Sequence, residues 1–428
     1  MKKKILIVSY YWPPAGGPGV QRWLKFTKYL PDFGYEPHVY IPENPSYPVI
    51  DTSLLNEVNP EVKICKQPIW EPYRIAEKLT KRNKDHKAGQ FETQRKQSLL
   101  SKLSIYIRGN FFIPDARKFW ISPSISYLNS YIKENQIEIL VTTGPPHSMH
   151  LIGLGLKKNH PSLKWIADFR DPWTQISYYS QLKLTSSSDR KHKKLEKEVM
   201  QKADVVLSTS YTDKENFEKL GAKKVVCITN GFDSEITEQK EPSSKFTLSY
   251  IGMLETLRNP INLWTILEEL IKQHPDLKAD FQLKLVGKVA DTILEDLQES
   301  TLKSYILNKG YLSHSESVYE MNHSNLLLIT NFPEAKFKGI IPGKLFEYLA
   351  TGAPILSIGP EDADVKRILD MTHTGKHFTY EDKENLKFFI LQEFEKWKHN
   401  LSPTPSTQIY EFHRKELTKK LVGVIEHL

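Results

Sequence analysis

The run "GIIPGKLFEYLATGAPIL", from Gly339 to Leu356, reads as a tight turn, a short helix, a glycine stop and a buried strand. Lys344 and Glu347 sit three apart on that helix, among Leu345, Phe346, Tyr348 and Leu349. An apolar helix packed on a strand has no structural need of that pair. Pro342 fits at or just before the first helical turn, and Gly343 lets a ligand approach the backbone closely. Free N–H groups and the helix dipole favour an anion at such a helix start. Lys344 adds a mobile positive charge. Glu347, one turn on, can accept hydrogen bonds from a diol such as ribose. Phosphate at the tip with sugar hydroxyls one turn down is the shape of a nucleotide. The plainer alternative is a surface ion pair worth about 0.3 kcal/mol.

Other segments add candidates. In "YIGMLETLRNPINLW" a strand ends at Gly252, and Arg258 lies in the loop before the helix that Asn259-Pro260 opens. A guanidinium there suits a diphosphate clamp, or is an exposed loop arginine. In "SYYWPPAGGPGVQRW" the glycines are Gly16, Gly17 and Gly19, which is neither G-x-G-x-x-G nor a Walker loop. The segment reads as a phosphate- or acceptor-facing loop entering a helix, or as a plain turn. "VTTGPPHSMH" places His147 and His150 past a strand end, and "IADFRDPW" does so for Asp168, Arg170 and Asp171. Such residues suit acid/base work or a sugar hydroxyl, although a lone histidine is more often structural. Asp362-x-Asp364 resembles a metal motif, but it follows Pro360 and precedes a helix, so capping explains it better. Cys65 and Cys227 lie far apart in strand-like runs without a Cys-x-x-Cys, so zinc is not expected.

These residues need a scaffold. Short apolar runs ("KILIVSYYW", "EPHVYIP", "VKICKQP", "IEILVTTG", "KWIADF", "DVVLSTS", "KVVCITN") alternate with helical spans. That alternation predicts a parallel sheet covered on both faces. "SEITEQKEPSSK" reads as a linker, after which the alternation restarts with "FTLSYIG", "FQLKLVG", "SNLLLIT" and "APILSIG". The expected fold is α/β, with two doubly wound domains around a central cleft. The expected boundaries are 1–237 for the first domain, 245–405 for the second, and 406–428 for a final helix returning to the first. In such sheets ligands bind at the carboxyl ends of strands.

The chain's 428 residues exceed one ordinary core. Two cysteines in apolar runs point to a reducing compartment. "MKKKILIVSYYWPP" is too short for a signal peptide and lacks a cleavage site, and no stretch approaches the roughly 18 apolar residues of a membrane span. The expected location is cytoplasmic. The net charge of +8 is concentrated: residues 74–118 hold twelve Lys/Arg against four acids, an excess equal to the whole. With "SIYIRGNFFIP" and "KFWISPS" this window suits an anionic membrane surface or a nucleic acid; a solvated insertion is the alternative.

Together the segments "ILIVSYYWPPAGGPG", "TTGPPHS", "ADFRDPW", "ITNGFD", "YIGMLETLRNP", "LVGKV", "GYLSHSE" and "PGKLFEYLATGAPIL" resemble a glycosyltransferase of the family 4 type. The resemblance spans nearly the whole chain except an insertion at about 68–125. It implies the GT-B architecture, two Rossmann-like domains. It also implies a retaining transfer from a nucleotide diphosphate-sugar without an essential metal or other cofactor. Glu347 matches the second glutamate of the family's Glu-x7-Glu motif, which binds the donor ribose. Arg258 matches the basic residue that neutralises the diphosphate. Gly252, Gly343, Lys344, Tyr311 and Leu312 complete the implied donor site. His147, Arg170 and Asp171 are the catalytic candidates, and Gly16, Gly17 and Gly19 the acceptor or phosphate loop. Two positions depart from the family: Met253 replaces a basic residue, and Gly339 replaces the first glutamate of the motif. The catalytic strand-end histidine of many members has no counterpart in register, so His147 stands near that place rather than in it.

The expected acceptor is a saccharide or lipid-linked saccharide in surface-polysaccharide synthesis, met by the first domain. A sugar-nucleotide epimerase of the same fold and a non-catalytic nucleotide or sugar binder are the rivals. Nucleic-acid binding rests on the basic window alone and is not expected.

Overall fold

The computed structural model describes residues 2–72, 99–235, 243–401 and 406–428. Much of the basic window and of the "SEITEQKEPSSK" linker lies outside these residues. The chain divides into two compact units, Met1–Thr229 with Leu417–Leu428, and Asn230–Glu416.

The first unit is built on seven parallel strands: β1 (Lys3–Val8), β2 (Tyr35–Pro42), β3 (Lys63–Gln67), β4 (Ile139–Gly144), β5 (Lys164–Phe169), β6 (Val205–Ser208) and β7 (Val225–Cys227). Their order is β3-β2-β1-β4-β5-β6-β7. Side chains alternate across a strand, so an apolar run feeds two cores at once. Leu6 and Val8 join Leu140, Ala167 and Val206 on one face. Ile5 and Ile7 join Val39, Val141, Ile166 and Leu207 on the other. Leu417, Leu421 and Ile425 of the last helix (Arg414–Glu426) pack into that second core.

The second unit has six parallel strands: β8 (Phe246–Ile251), β9 (Phe281–Val286), β10 (Ile306–Gly310), β11 (Leu326–Thr330), β12 (Ile355–Ile358) and β13 (Gly375–Phe378). Their order is β10-β9-β8-β11-β12-β13. Leu248, Leu283, Leu326, Leu328 and Leu356 anchor one core with the helix Ile261–Gln273. In each unit the strand order reverses once, between β1 and β4 and between β8 and β11. A crevice opens at the carboxyl ends of such a pair, which is where an α/β sheet receives ligands.

Asp168, expected as an acid/base candidate, is instead a structural lock. It is fully buried at the end of β5. Its carboxylate accepts from Arg22 Nε at 3.0 Å and Nη2 at 2.9 Å, from Trp23 Nε1 at 2.7 Å, and from Thr143 Oγ1 at 2.8 Å. Arg22 Nη1 also donates to the Thr229 carbonyl at 3.0 Å. A buried ion pair with every donor matched is tolerated, whereas removing one member strands the other charge. Asp168→Ala is therefore expected to destabilise the first unit by about 3–5 kcal/mol in urea denaturation. An unchanged midpoint would contradict this.

Candidate donor and acceptor sites

At the carboxyl edge of the first unit, the loops after β1, β4 and β5 meet. Arg170 follows β5 and donates to the carbonyls of Gly19, Pro145 and Gly144, so it ties the glycine loop to the loop after β4. Its guanidinium also lies 5.8 Å from the Tyr11 ring centroid. This makes Arg170 a brace, with three of its N–H groups committed to backbone. The glycines answer to packing as well. A Cβ on Gly19 would lie 2.7 Å from Arg170 Nη1, and one on Gly16 would lie 2.9 Å from Val49 Cγ1. Gly17 has φ +90° at the start of the helix Pro18–Tyr29. The loop is thus fixed by internal contacts rather than left as an open cradle. Asp171, next along, is exposed.

His147 stands at the start of the helix Ser148–Asn159. Its ring stacks on Trp173 with centroids 4.9 Å apart and planes 1° apart. Its Nδ1 is buried without a hydrogen-bond partner. Burial first, and then the neighbouring His150, Arg170 and His192, push its pKa well below the ordinary histidine value. The imidazole is therefore neutral at pH 7, as a proton acceptor or a sugar-hydroxyl ligand requires. His150 is fully buried, with Nδ1 2.9 Å from Thr142 Oγ1. It lies too deep for substrate, so of the two histidines only His147 remains a candidate contact.

In the second unit the opening residues converge on the end of β8. The helix Lys344–Ala350 buries Leu345, Phe346, Tyr348 and Leu349. This fixes Lys344 and Glu347 on its remaining surface. Lys344 Nζ donates to the Ile251 carbonyl at 3.1 Å and lies 3.5 Å from the Tyr250 ring centroid. It also lies 3.7 Å from where a Cβ on Gly252 would project. Burial lowers its pKa, against the opposing pull of Tyr250. Burial alone would raise the Tyr250 phenol, but the charges of Lys344 and Arg258 outweigh it and bring it below its ordinary value. Tyr348 OH accepts from the Ile251 N–H at 3.1 Å, which holds the helix against the strand end.

Arg258 donates to the Met253 carbonyl at 3.2 Å and pairs with Glu255 at 3.1 Å. Its Nε is buried without a partner. Gly252 has φ +122° and Gly287 has φ +106°; a Cβ on Gly287 would come within 2.3 Å of the Gly252 carbonyl oxygen. Only glycine at 287 permits the β8 and β9 ends to approach this closely. Lys344, from a different element, brings its charge to Gly252.

Glu347 is half-buried. Among the described residues its carboxylate makes no hydrogen bond and no ion pair, so the surface-pair reading of Lys344 and Glu347 does not hold. Burial raises its pKa, while His314, Arg414 and Lys344 pull the other way. His314 begins the helix His314–Asn322, which carries a Ser313–Glu316 capping box. The motif "GYLSHSE" contained His314, but only the fold brings it near Glu347. Tyr311 is 89% exposed just after Gly310, and Leu312 is partly buried beside it. The helix start offers fewer free amides than its sequence suggests: Leu345 N and Phe346 N bond back to Pro342 O and Gly343 O. Charge here comes mainly from side chains. Asp364 lies in the first turn of the helix Asp364–Thr372, and no cluster of three or more His, Cys, Asp or Glu suited to a metal occurs among the described residues.

No protein-family model and no curated protein sequence matches the chain. Solved structures do. A sucrose-phosphate synthase from Thermosynechococcus elongatus superposes with TM-score 0.62 at 12% identity, covering 100% of this chain and 99% of that one. A glycosyltransferase from Rickettsia africae gives 0.61 at 16% identity, covering 100% and 98%. The chain has the GT-B fold. A third structure with this fold is S. aureus TarM in complex with fondaparinux, α-GlcNAc-glycerol and UDP, at TM-score 0.59 and 10% identity, covering 99% of each chain. At these identities the likeness establishes fold, and the reading of the site rests on its own geometry.

The raised carboxyl pKa of Glu347 makes a signed prediction. A carboxyl whose folded pKa exceeds its unfolded value weakens the fold above that range, and the penalty disappears as pH falls below the unfolded value. Without ligand, Glu347→Gln should raise the melting temperature at pH 7, and the gain should shrink as pH falls through the carboxylate range. A variant equally or less stable at pH 7 would contradict the assignment.

Proposed function

We propose that the chain is a glycosyltransferase that moves a sugar from a nucleoside diphosphate-sugar to a hydroxyl acceptor. The observation that carries this reading is Glu347, a half-buried carboxylate with no hydrogen bond or ion pair among the described residues, one turn from a lysine held at the end of β8. Partly burying a carboxylate without a matched donor costs stability, and costs of this kind are expected at functional sites. In this reading Glu347 accepts from the ribose hydroxyls, Lys344 and Arg258 face the diphosphate, and the open Tyr311 ring offers a stacking surface to the base. Gly252 and Gly343 leave room for the phosphates to approach the backbone.

The chemistry follows from charge. Transfer breaks the bond between the anomeric carbon and the diphosphate oxygen, so negative charge grows on the leaving group while the sugar becomes cationic. Fixed cations next to the leaving oxygens lower that barrier. Lys344 and Arg258 supply them from side chains, without a metal in the scheme. Retention of anomeric configuration is part of the proposal. His147, neutral and beside Trp173, is proposed to contact the transferred sugar, and the acceptor is proposed to bind the first unit. The epimerase rival would release the nucleotide without a glycosylated product.

The test is a thermal-shift panel of UDP, GDP, ADP and CMP on the wild type and Glu347→Ala. A ligand at 100 times its dissociation constant stabilises by about 2.7 kcal/mol. One diphosphate is expected to shift the wild type, and Glu347→Ala to lose most of that shift. No shift with any nucleotide would overturn the proposal. Arg258→Ala is expected to weaken the same nucleotide by about tenfold or more, the scale of a lost charged contact. Equal affinity would remove Arg258 from the site.

A further inference from the structure

The helix Leu99–Phe111 is oriented the wrong way round for a protein surrounded only by water. Among the described residues its inward side carries Gly109 and Asn110. Gly109 is buried, and a Cβ there would lie 2.7 Å from both the Leu182 carbonyl oxygen and Leu184 Cδ2. Asn110 Nδ2 donates to the Lys183 carbonyl at 3.2 Å, and its Oδ1 accepts from Thr185 N at 2.7 Å. Leu103, Tyr106, Ile107 and Phe111 all face solvent, Phe111 at 63%. Their spacing of three and four residues makes one stripe along the helix.

The apolar surface continues beyond the helix. Phe119 lies 6.1 Å from Phe112 and 4.6 Å from Trp70 between ring centroids, and both Phe119 and Trp70 are exposed. Of the ten large hydrophobic residues exposed among the described residues of the first unit, six belong to this patch, so the exposure is local rather than scattered. Surfaces of this kind mark contact sites.

The charge around the patch indicates what covers it. Lys118 Nζ sits 5.5 Å and 5.0 Å from the Phe112 and Phe119 ring centroids and donates to the Phe111 carbonyl at 2.6 Å. Arg108 is exposed on the helix itself. Asp115 is the one acid between Leu99 and Trp120, and it is used internally, accepting from Ser148 N at 2.9 Å, Ser148 Oγ at 2.8 Å and Arg117 N at 2.9 Å. Arg117 also faces inward, paired with Glu71 at 3.2 Å. Trp120 is core, stacked on Tyr40 at 4.8 Å. What remains outside is aliphatic, aromatic and cationic, with no uncommitted carboxylate in the segment.

We infer that this face rests on an anionic phospholipid bilayer, with Leu103, Ile107 and Phe111 entering the headgroup–acyl boundary and Arg108 and Lys118 meeting the phosphates. Aromatic rings such as Trp70 and Phe119 favour the same depth. A protein partner would more often present acids and hydrogen-bonding groups to match, whereas a lipid surface needs only apolar depth and cations. No helix among the described residues is long and apolar enough to cross a membrane, so the contact lies along the interface. The inference deepens the proposed function, on which it rests only for its purpose: a lipid-linked acceptor would be met on the surface the enzyme occupies.

The test is flotation of the full chain with vesicles of phosphatidylcholine alone and of phosphatidylcholine with phosphatidylglycerol. Wild type should float with the anionic vesicles and much less with the neutral ones. Ile107→Asp with Phe111→Asp should reduce flotation by about tenfold or more, as expected when two apolar insertions are lost. Arg108→Glu with Lys118→Glu should abolish the preference for phosphatidylglycerol. Ile107, Phe111 and Arg108 are exposed and Lys118 is half-buried at the surface, so little change in melting temperature and an unchanged nucleotide shift should accompany the loss. Absence of flotation on either vesicle, or equal flotation of wild type and the aspartate variant, overturns the inference. So does a dimer broken by the aspartate variant without vesicle binding, because the patch would then be a contact between copies. Flotation requires no turnover, so its failure leaves the nucleotide site standing, and failure of the nucleotide panel leaves the membrane face standing.

Discussion

A charge brought to the carboxyl edge of a parallel sheet leaves water, and the fold has to provide something in exchange. The two units meet this constraint in opposite ways. In the first, the Asp168 carboxylate receives hydrogen bonds from four donor groups of Arg22, Trp23 and Thr143, so nothing is left for a ligand. In the second, Lys344 is held by one carbonyl and one aromatic face, while the Glu347 carboxylate makes no hydrogen bond or ion pair among the described residues and feels only the electrostatic pull of His314, Arg414 and Lys344. The residues proposed to bind are among those left only partly satisfied. The same distinction separates Arg170, committed to three carbonyls, from Arg258, whose Nε remains unmatched.

The fold was largely legible because parallel sheets write themselves plainly. Buried on both faces, their strands are short continuous apolar runs, and the helices between them restore the 3.6-residue period. "KILIV", "IEILVTTG" and "SNLLLIT" are short, apolar and bounded by turn residues, as buried parallel strands are, and the residues just past or beside strand ends include Lys344, Glu347 and Arg258. What could not be read was commitment. Asp168, Arg170 and Asp171 lie within four residues, all ionisable and all past the same strand, yet the structure buries the first, uses the second as a brace and exposes the third. Which donors reach a carboxylate depends on residues as distant in sequence as Arg22. His314 was missed for the same reason: its proximity to Glu347 arises from packing between elements.

The departures from the family pattern also gain a physical account. Met253 and Gly339 remove a cation and a carboxylate from positions where the resemblance expects them. Lys344, placed beside Gly252, returns positive charge to the first position by another route. The proposed site is therefore richer in cations than in acids, which suits stabilising a diphosphate leaving group more than moving protons at the sugar.

In the proposed reading the carboxyl ends of β8 and β11 in the second unit hold a nucleoside diphosphate. A crystal structure of the chain soaked with the nucleotide that stabilises it would show this. Diphosphate density is expected beside Gly252 and Gly343 within reach of Lys344 and Arg258, with both ribose hydroxyls on Glu347. Nucleotide bound elsewhere, or a ribose that leaves Glu347 without a partner, would contradict it.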